Sequence, residues 1–140
     1  MEEFFEVLDE KGKYTGEIST RQKCHKEGLW HKAVVAFIIN SNEEVLLQKR
    51  SANKKLWPNT WDVTAGGHVL KGELGFQAAI RETKEELGVE LNKNEMIFLG
   101  SSISSNKKGD IINNHFNEYY IVNKDIDETK LKLQKEEVSE

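Results

Sequence analysis

Seven residues carry the strongest chemical signal in this chain: Gly67, Glu73, Arg81, Glu82, Glu85, Glu86 and Gly88. They lie in GHVLKGELGFQAAIRETKEELGV, where five residues separate Gly67 from Glu73 and seven more separate Glu73 from Arg81. Carboxylates offer the hard oxygen atoms that Mg²⁺ prefers. A glycine-led loop running into an acid-rich helix sets those oxygens in one register. Such a unit can hold divalent cations against a phosphate chain. With each residue type near one in fifteen, a chance match at one start is roughly one in 10⁸.

The helix that positions these groups follows from spacing. Phe76, Ala79, Ile80, Thr83 and Leu87 recur at helical intervals and share one face. Glu82, Glu85 and Glu86 fall on the opposite face, because residues three and four apart are neighbours. The helix is expected over residues 75–87, with Gly88 as a left-handed stop. Glu73 precedes it, where a carboxylate favours the positive end of the helix dipole. Three carboxylates within one turn repel one another, and Arg81 and Lys84 offset only part of that. The alternative is a surface helix with a solvated acidic face, which leaves the upstream glycine and glutamate unexplained.

Other elements are read from pattern. Phe4 to Leu8 reads as a short strand turned by Asp9-Glu10-Lys11-Gly12. The run AVVAFII, Ala33 to Ile39, is apolar and β-branched, so a buried strand is expected. Ser41 to Glu44 then turns the chain into Val45-Leu46-Leu47 as a hairpin. Ser51 to Asn59 reads as a basic, irregular loop, and Trp61 to Ala65 as a strand. Met96 to Ile103 and Phe116 to Val122 read as strands. Ser105 to Asn114 between them reads as a loop suited to substrate selection. Strands with an inserted helix define a mixed α/β (α+β) domain. The tail, Lys124 to Glu140, is charged and weakly periodic.

Composition bounds the function. The 140 residues suffice for one domain with a real core. Hydrophobic residues make up 37%, mean hydropathy is −0.64, net charge is −4 and pI is about 5.7. This balance argues against broad binding to nucleic acid polymers or anionic membranes. Cys24 is the only cysteine, so no internal disulfide forms, which fits a reducing cytoplasm. No apolar run reaches bilayer-spanning length, and the acidic N-terminus lacks a signal-peptide layout. Oligomeric state is not legible; a homodimer is compatible with the sequence.

The seven-residue pattern resembles the box of the Nudix hydrolase superfamily, spanning residues 67–89 here. Every fixed position matches except the first bulky aliphatic, which is Thr83. The resemblance implies a Nudix fold over residues 1–140. In that fold a further strand and a closing helix follow where this chain ends, so those elements are expected to be missing. It implies hydrolysis of a small molecule containing a diphosphate, with Mg²⁺ (or Mn²⁺) as the cofactor. It implies Glu82, Glu85, Glu86 and the Gly66 carbonyl as metal ligands, with Gly67, Glu73 and Gly88 as structural positions. Arg81 would hold the box together beside the catalytic Glu82 and Glu85. The general base would be Glu82 or a glutamate outside the box, for which Glu118 is the candidate.

A narrower resemblance covers much of residues 1–90. RQKCHKEGLWHKAV and LLQKRSANKKLWPNTWDVTAGGHV are similar to the branch that includes type I isopentenyl-diphosphate isomerase. There, three histidines and two glutamates bind a metal. His25, His31, His68 and Glu118 match four of these, and Phe116 stands in place of the other glutamate. These four are the expected second metal set. Arg50 and Lys54 match basic residues that hold a diphosphate. The isomerase cysteine should stand at Gly66, and glycine has no group to move a proton. That departure and the intact glutamates favour a hydrolase. The alternatives are an isomerase and a non-catalytic metabolite-binding regulator on the same fold. Trp57 and Trp61 are read as core aromatics, with stacking on a base or ring as the other role.

Overall fold

A computed structural model describes residues 2–54 and 57–140. In chain order its elements are β1 (Phe4–Leu8), β2 (Tyr14–Thr20), α1 (Arg21–Glu27), β3 (His31–Ile39), β4 (Gln48–Lys49), β5 (Trp61–Asp62), β6 (Ala65–His68), α2 (Gly75–Leu87), β7 (Ile97–Lys108) and β8 (Ile111–Asn123). Single 3₁₀ turns at Lys93–Glu95 and Glu128–Lys130 flank the last hairpin. The result is a mixed α+β domain, as the sequence implies.

The apolar run at residues 33–39 lies in β3, inside a four-stranded sheet of order β6-β3-β8-β7. β3 pairs antiparallel with β6 and parallel with β8. Both its edges are therefore covered, which suits a nearly continuous apolar sequence. Alternate residues point to opposite faces. On one face Val34, Ala36 and Tyr120 pack with Ala78 and Ala79 of α2. Ile38 and Val122 continue that layer with Leu87. On the other face lie α1 and the β1–β2 hairpin, with Phe5, Val7 and Cys24 in their own small core.

The box helix forms at its expected bounds. Gly88 takes φ 72°, and its N–H closes onto the Lys84 carbonyl. Left-handed backbone of this kind favours glycine. Thr83 is fully buried and satisfies its hydroxyl on the Ala79 carbonyl at 2.7 Å. The acidic face departs from expectation. Glu86 is buried with Thr83 and Leu87, whereas Glu85 is exposed. Phe76 and Ile80 are only half-buried.

Three further expectations are corrected. Residues 105–114 are not a loop: β7 and β8 pair without a break from Gly100 and Tyr119 up to Lys108 and Ile111, and only Gly109-Asp110 turns. β7 is an exposed edge strand, so its polar sequence lacks the alternation that marks a half-buried one. Trp57 and Trp61 are not core aromatics, being 60% and 59% exposed. The hairpin after β3 is shorter than expected: Asn40 and Glu44 close it, Val45 bridges to Ile39, and the Leu46 N–H donates to the Ile38 carbonyl at 2.9 Å. Within the loop at Ser51 to Asn59, Lys55 and Leu56 lie outside the described residues.

Among the described residues no α-helix or ladder strand follows β8, but the tail is packed. Lys132 and Gln134 donate backbone N–H bonds to the carbonyls of Leu87 and Glu86, both at 2.9 Å. Val138 is fully buried and bridges to Arg50. The tail thus laces over the C-terminal end of the box helix.

Candidate active site and a histidine cluster

Arg81 is the hub of the box. Its Nε and Nη2 donate to the two Glu73 oxygens at 2.7 and 3.0 Å, a paired geometry that fixes both planes. Nη2 also donates to the His68 carbonyl at 2.9 Å. Nη1 reaches Glu82 at 2.8 Å and Glu85 at 3.3 Å. Glu73 in turn accepts the Leu70 N–H at 2.9 Å. Glu73 therefore does not cap the helix dipole as expected. It ties the loop to the helix through Arg81, and Gln77 closes the helix start by accepting the Leu74 N–H.

Close packing explains the box glycine. A methyl group on Gly67 would overlap the Glu82 carboxyl group. Only a bare Cα lets that carboxyl lie against β6. Glu82 and Glu86 are hydrogen-bonded to each other, and Gly66 N–H bonds Glu86. Gln48 Nε2 also donates to Glu86, and to the Thr64 carbonyl at 3.0 Å. Burial raises both carboxyls; Glu86 is pushed up to about 8, against the Gln48 bond and with the nearby Glu82 charge adding to the rise. A buried, proton-sharing carboxyl pair beside an exposed carboxylate is a site that a divalent cation would relieve. The residues present fit a hard, oxygen-preferring ion.

Glu118 sits on the same face of the sheet but apart from this cluster. It pairs with Val34 in the ladder, and Val34 pairs on its other side with Gly67. The two positions are thus two strand spacings apart, roughly 10 Å. Its carboxylate accepts from Tyr120 Oη at 3.0 Å, lies 3.9 Å from Lys32 Nζ, and leaves no room for a side chain at Gly75. Beside it a cavity of about 570 Å³ is lined by Lys11, Lys32, Phe116, Asn117 and Glu118, among others. Arg50 and Lys54 face carboxylates instead: Arg50 lies 3.3 Å from Asp62, and Lys54 is paired with Glu137.

The opposite face gathers histidines. His25 comes from α1, His31 from β3, His68 from β6 and His115 from β8; one ring nitrogen of each lies within 4.8 Å of all the others. Three of the four were legible by resemblance; His115 was not, and it takes the place expected of Glu118. Glu118 is separated from His115 by three positions on one strand, so they point to opposite faces. That parity was readable once a strand was assigned there. The helix α1 also went unread, although Thr20 caps it at the Lys23 N–H and Gly28 ends it in left-handed backbone.

The cluster predicts acid sensitivity. Burial holds His25 down to about 4 and His115 to about 3, with His31 and the other imidazoles adding repulsion; His31 and His68 are likewise lowered by burial. The unfolded chain takes up these protons near 6.5, so it is favoured as pH falls below that value. Chelator-treated protein is expected to lose thermal stability steadily from pH 6.5 to 4.5. Replacing His115 with glutamine should flatten this slope in a melting series; an unchanged slope would place the acid sensitivity elsewhere.

The loop, helix and buried carboxylates on this sheet define a NUDIX domain. The family model of that description matches residues 29–140, and the chain belongs to the family. Nudix hydrolase 3 of Arabidopsis thaliana is 40% identical over 99% of this chain, which spans only 18% of that protein's length. An isopentenyl-diphosphate Delta-isomerase of Escherichia coli is 30% identical over 77% of this chain and 59% of its own. The chain thus falls in the isomerase-like branch. The crystal structure of DR0079 from Deinococcus radiodurans shares the fold, with a TM-score of 0.71 at 24% identity over 98% of this chain and 80% of that one. Among the described residues no helix is long and apolar enough to cross a membrane.

Proposed function

We propose that this domain hydrolyses a diphosphate linkage in a small molecule, with Mg²⁺ as cofactor. The observation that carries this reading is the buried Glu82–Glu86 pair, held against Gly66 and Gly67 and steered by Arg81. Glu82, Glu85, Glu86 and the Gly66 carbonyl would hold the ion. When bound, it would neutralise phosphate charge and lower the pKa of water. Glu82 would take a proton from water attacking phosphorus. Arg81 fixes its carboxylate, and Glu73 fixes Arg81. Lys11 and Lys32 line a cavity of about 570 Å³ on the same side and supply positive charge for phosphate oxygens, a task that Arg50 and Lys54 are less free to perform. Glu118, at that cavity, orients the substrate end that is not cleaved.

Isomerase chemistry is disfavoured by position 66. It lacks a thiol, and even a β-carbon there would stand 3.0 Å from the Val34 carbonyl oxygen. The test is product analysis on nucleoside diphosphate and triphosphate derivatives and isopentenyl diphosphate, with and without Mg²⁺. Mg²⁺-dependent release of phosphorylated fragments is expected. Conversion of isopentenyl diphosphate alone would overturn the reading, and tight binding without turnover would make the domain a regulator.

A further inference from the structure

We propose that Gln48 is a positioning residue for the box: it fixes the Glu86 carboxyl group for the cation without offsetting its charge. This role rests on the hydrolase reading and belongs to a residue outside the box pattern. Gln48 stands on β4, 38 positions before Glu86, and is only 5% exposed. The box glutamates are held in two different ways. Arg81 steers Glu82 and Glu85 through Nη1. Among the described residues no lysine or arginine is paired with Glu86. Glu86 also lies in the last turn of α2, where the negative end of the helix dipole disfavours a carboxylate. Its donors are the Gln48 amide, on Oε2, and the Gly66 N–H, with Glu82 beside them.

The amide is itself pinned. Nε2 carries two hydrogens. One goes to Glu86 and the other to the Thr64 carbonyl at 3.0 Å. A carbonyl oxygen only accepts, so the amide nitrogen, not the amide oxygen, must face it. Thr64 is fully buried; its hydroxyl accepts the Ile38 N–H at 2.9 Å and donates to the Leu46 carbonyl. A run of bonds thus leads from the core strand β3 through Thr64 and Gln48 to the end of α2. Ile38, Thr64, Gln48 and Glu86 are all buried. A buried donor or acceptor left unpaired is costly, so each link holds the next in place.

Charge explains the residue type. A lysine or arginine at position 48 could hold the same oxygen, but it would neutralise Glu86 and repel an arriving cation. Glutamine orients the carboxyl group with a dipole and leaves its full charge to the metal. Outer partners that orient a ligating carboxylate in this way typically set about 10- to 100-fold in metal affinity.

Cation binding is read directly, apart from turnover. The intact chain is stripped with chelator and titrated with Mn²⁺, the free ion being followed by its electron paramagnetic resonance. The box ion is the one whose binding is lost in Glu86→Gln. Gln48→Met keeps the length of the side chain and removes the donor; it should weaken binding of that ion by about 10- to 100-fold. Gln48→Asn keeps the amide but is one methylene short of its two acceptors, and a similar loss is expected. Circular dichroism and melting curves check that each variant folds, and Gln48→Asn decides the matter if Gln48→Met does not. A merely structural residue would lower the melting temperature and leave the affinity of the folded chain unchanged. Parent affinity in a folded Gln48 variant therefore overturns the role of Gln48 and leaves the hydrolase reading standing. A parent chain that binds no Glu86-dependent Mn²⁺ overturns both.

Discussion

Replacing Glu86 with glutamine is expected to lower Mg²⁺-dependent turnover by on the order of 10³-fold, while making the metal-free protein more stable above neutral pH. Glutamine keeps the size of the side chain and one oxygen to accept from Gln48 and Gly66. It removes the negative charge that would hold a cation. The stability half follows from linkage. The folded chain keeps the Glu86 proton up to about pH 8, whereas the unfolded chain releases it near 4.5. Between those values the folded state carries the extra proton, so stability falls as pH rises. The slope is at most about 1.4 kcal/mol per pH unit. Above pH 6.5 the histidines contribute little, so the decline from 6.5 to 8 belongs to Glu86 and the Glu82 carboxyl beside it. Melting curves in chelator should show that decline in the parent and a shallower one in the variant. Retained activity, or parallel melting curves, would remove Glu86 from the proposed role.

Arg81→Met should destabilise the protein by about 3 kcal/mol, which corresponds to a fall in melting temperature of roughly 10 °C for a chain of this size. Arg81 and Glu73 are only 21% and 19% exposed as side chains, and Glu82 only 13%. Removing the guanidinium strands two half-buried carboxylates and frees the His68 carbonyl. Such loss far exceeds that of a solvent-exposed ion pair. Adding Glu73→Gln to Arg81→Met should recover part of the stability, because one uncompensated charge is gone. It should not recover turnover, because Glu82 remains unsteered. Denaturant titration of the single and double variants measures both. A loss below about 1 kcal/mol would mean that the network is screened like a surface pair.

One sheet therefore separates the box carboxylates from the histidine cluster. Even-numbered positions of β3 and β8, Val34 and Glu118 among them, face the box helix; odd-numbered ones, His31 and His115, face α1. A variant on one side should leave the other undisturbed, apart from the single bond between Arg81 and the His68 carbonyl.

What the sequence determined by itself was local. The box helix, its start after Leu74, its glycine stop and the β3 core strand all rest on periodicity and on one residue type whose backbone can turn left-handed. The family pattern added the box carboxylates and three of the histidines. Tertiary structure decided the rest. Glu82, Glu85 and Glu86 look alike in sequence, yet of the three only Glu86 is buried, because Gln48 and Gly66 reach it from elsewhere in the chain. The outer end of β7 is polar because it is an exposed edge, so residues 105–108 read as part of a loop. His115 joins His31 through a parallel pairing across 84 positions. Strand register is set by which faces find a core, a property of the assembled sheet rather than of any one segment.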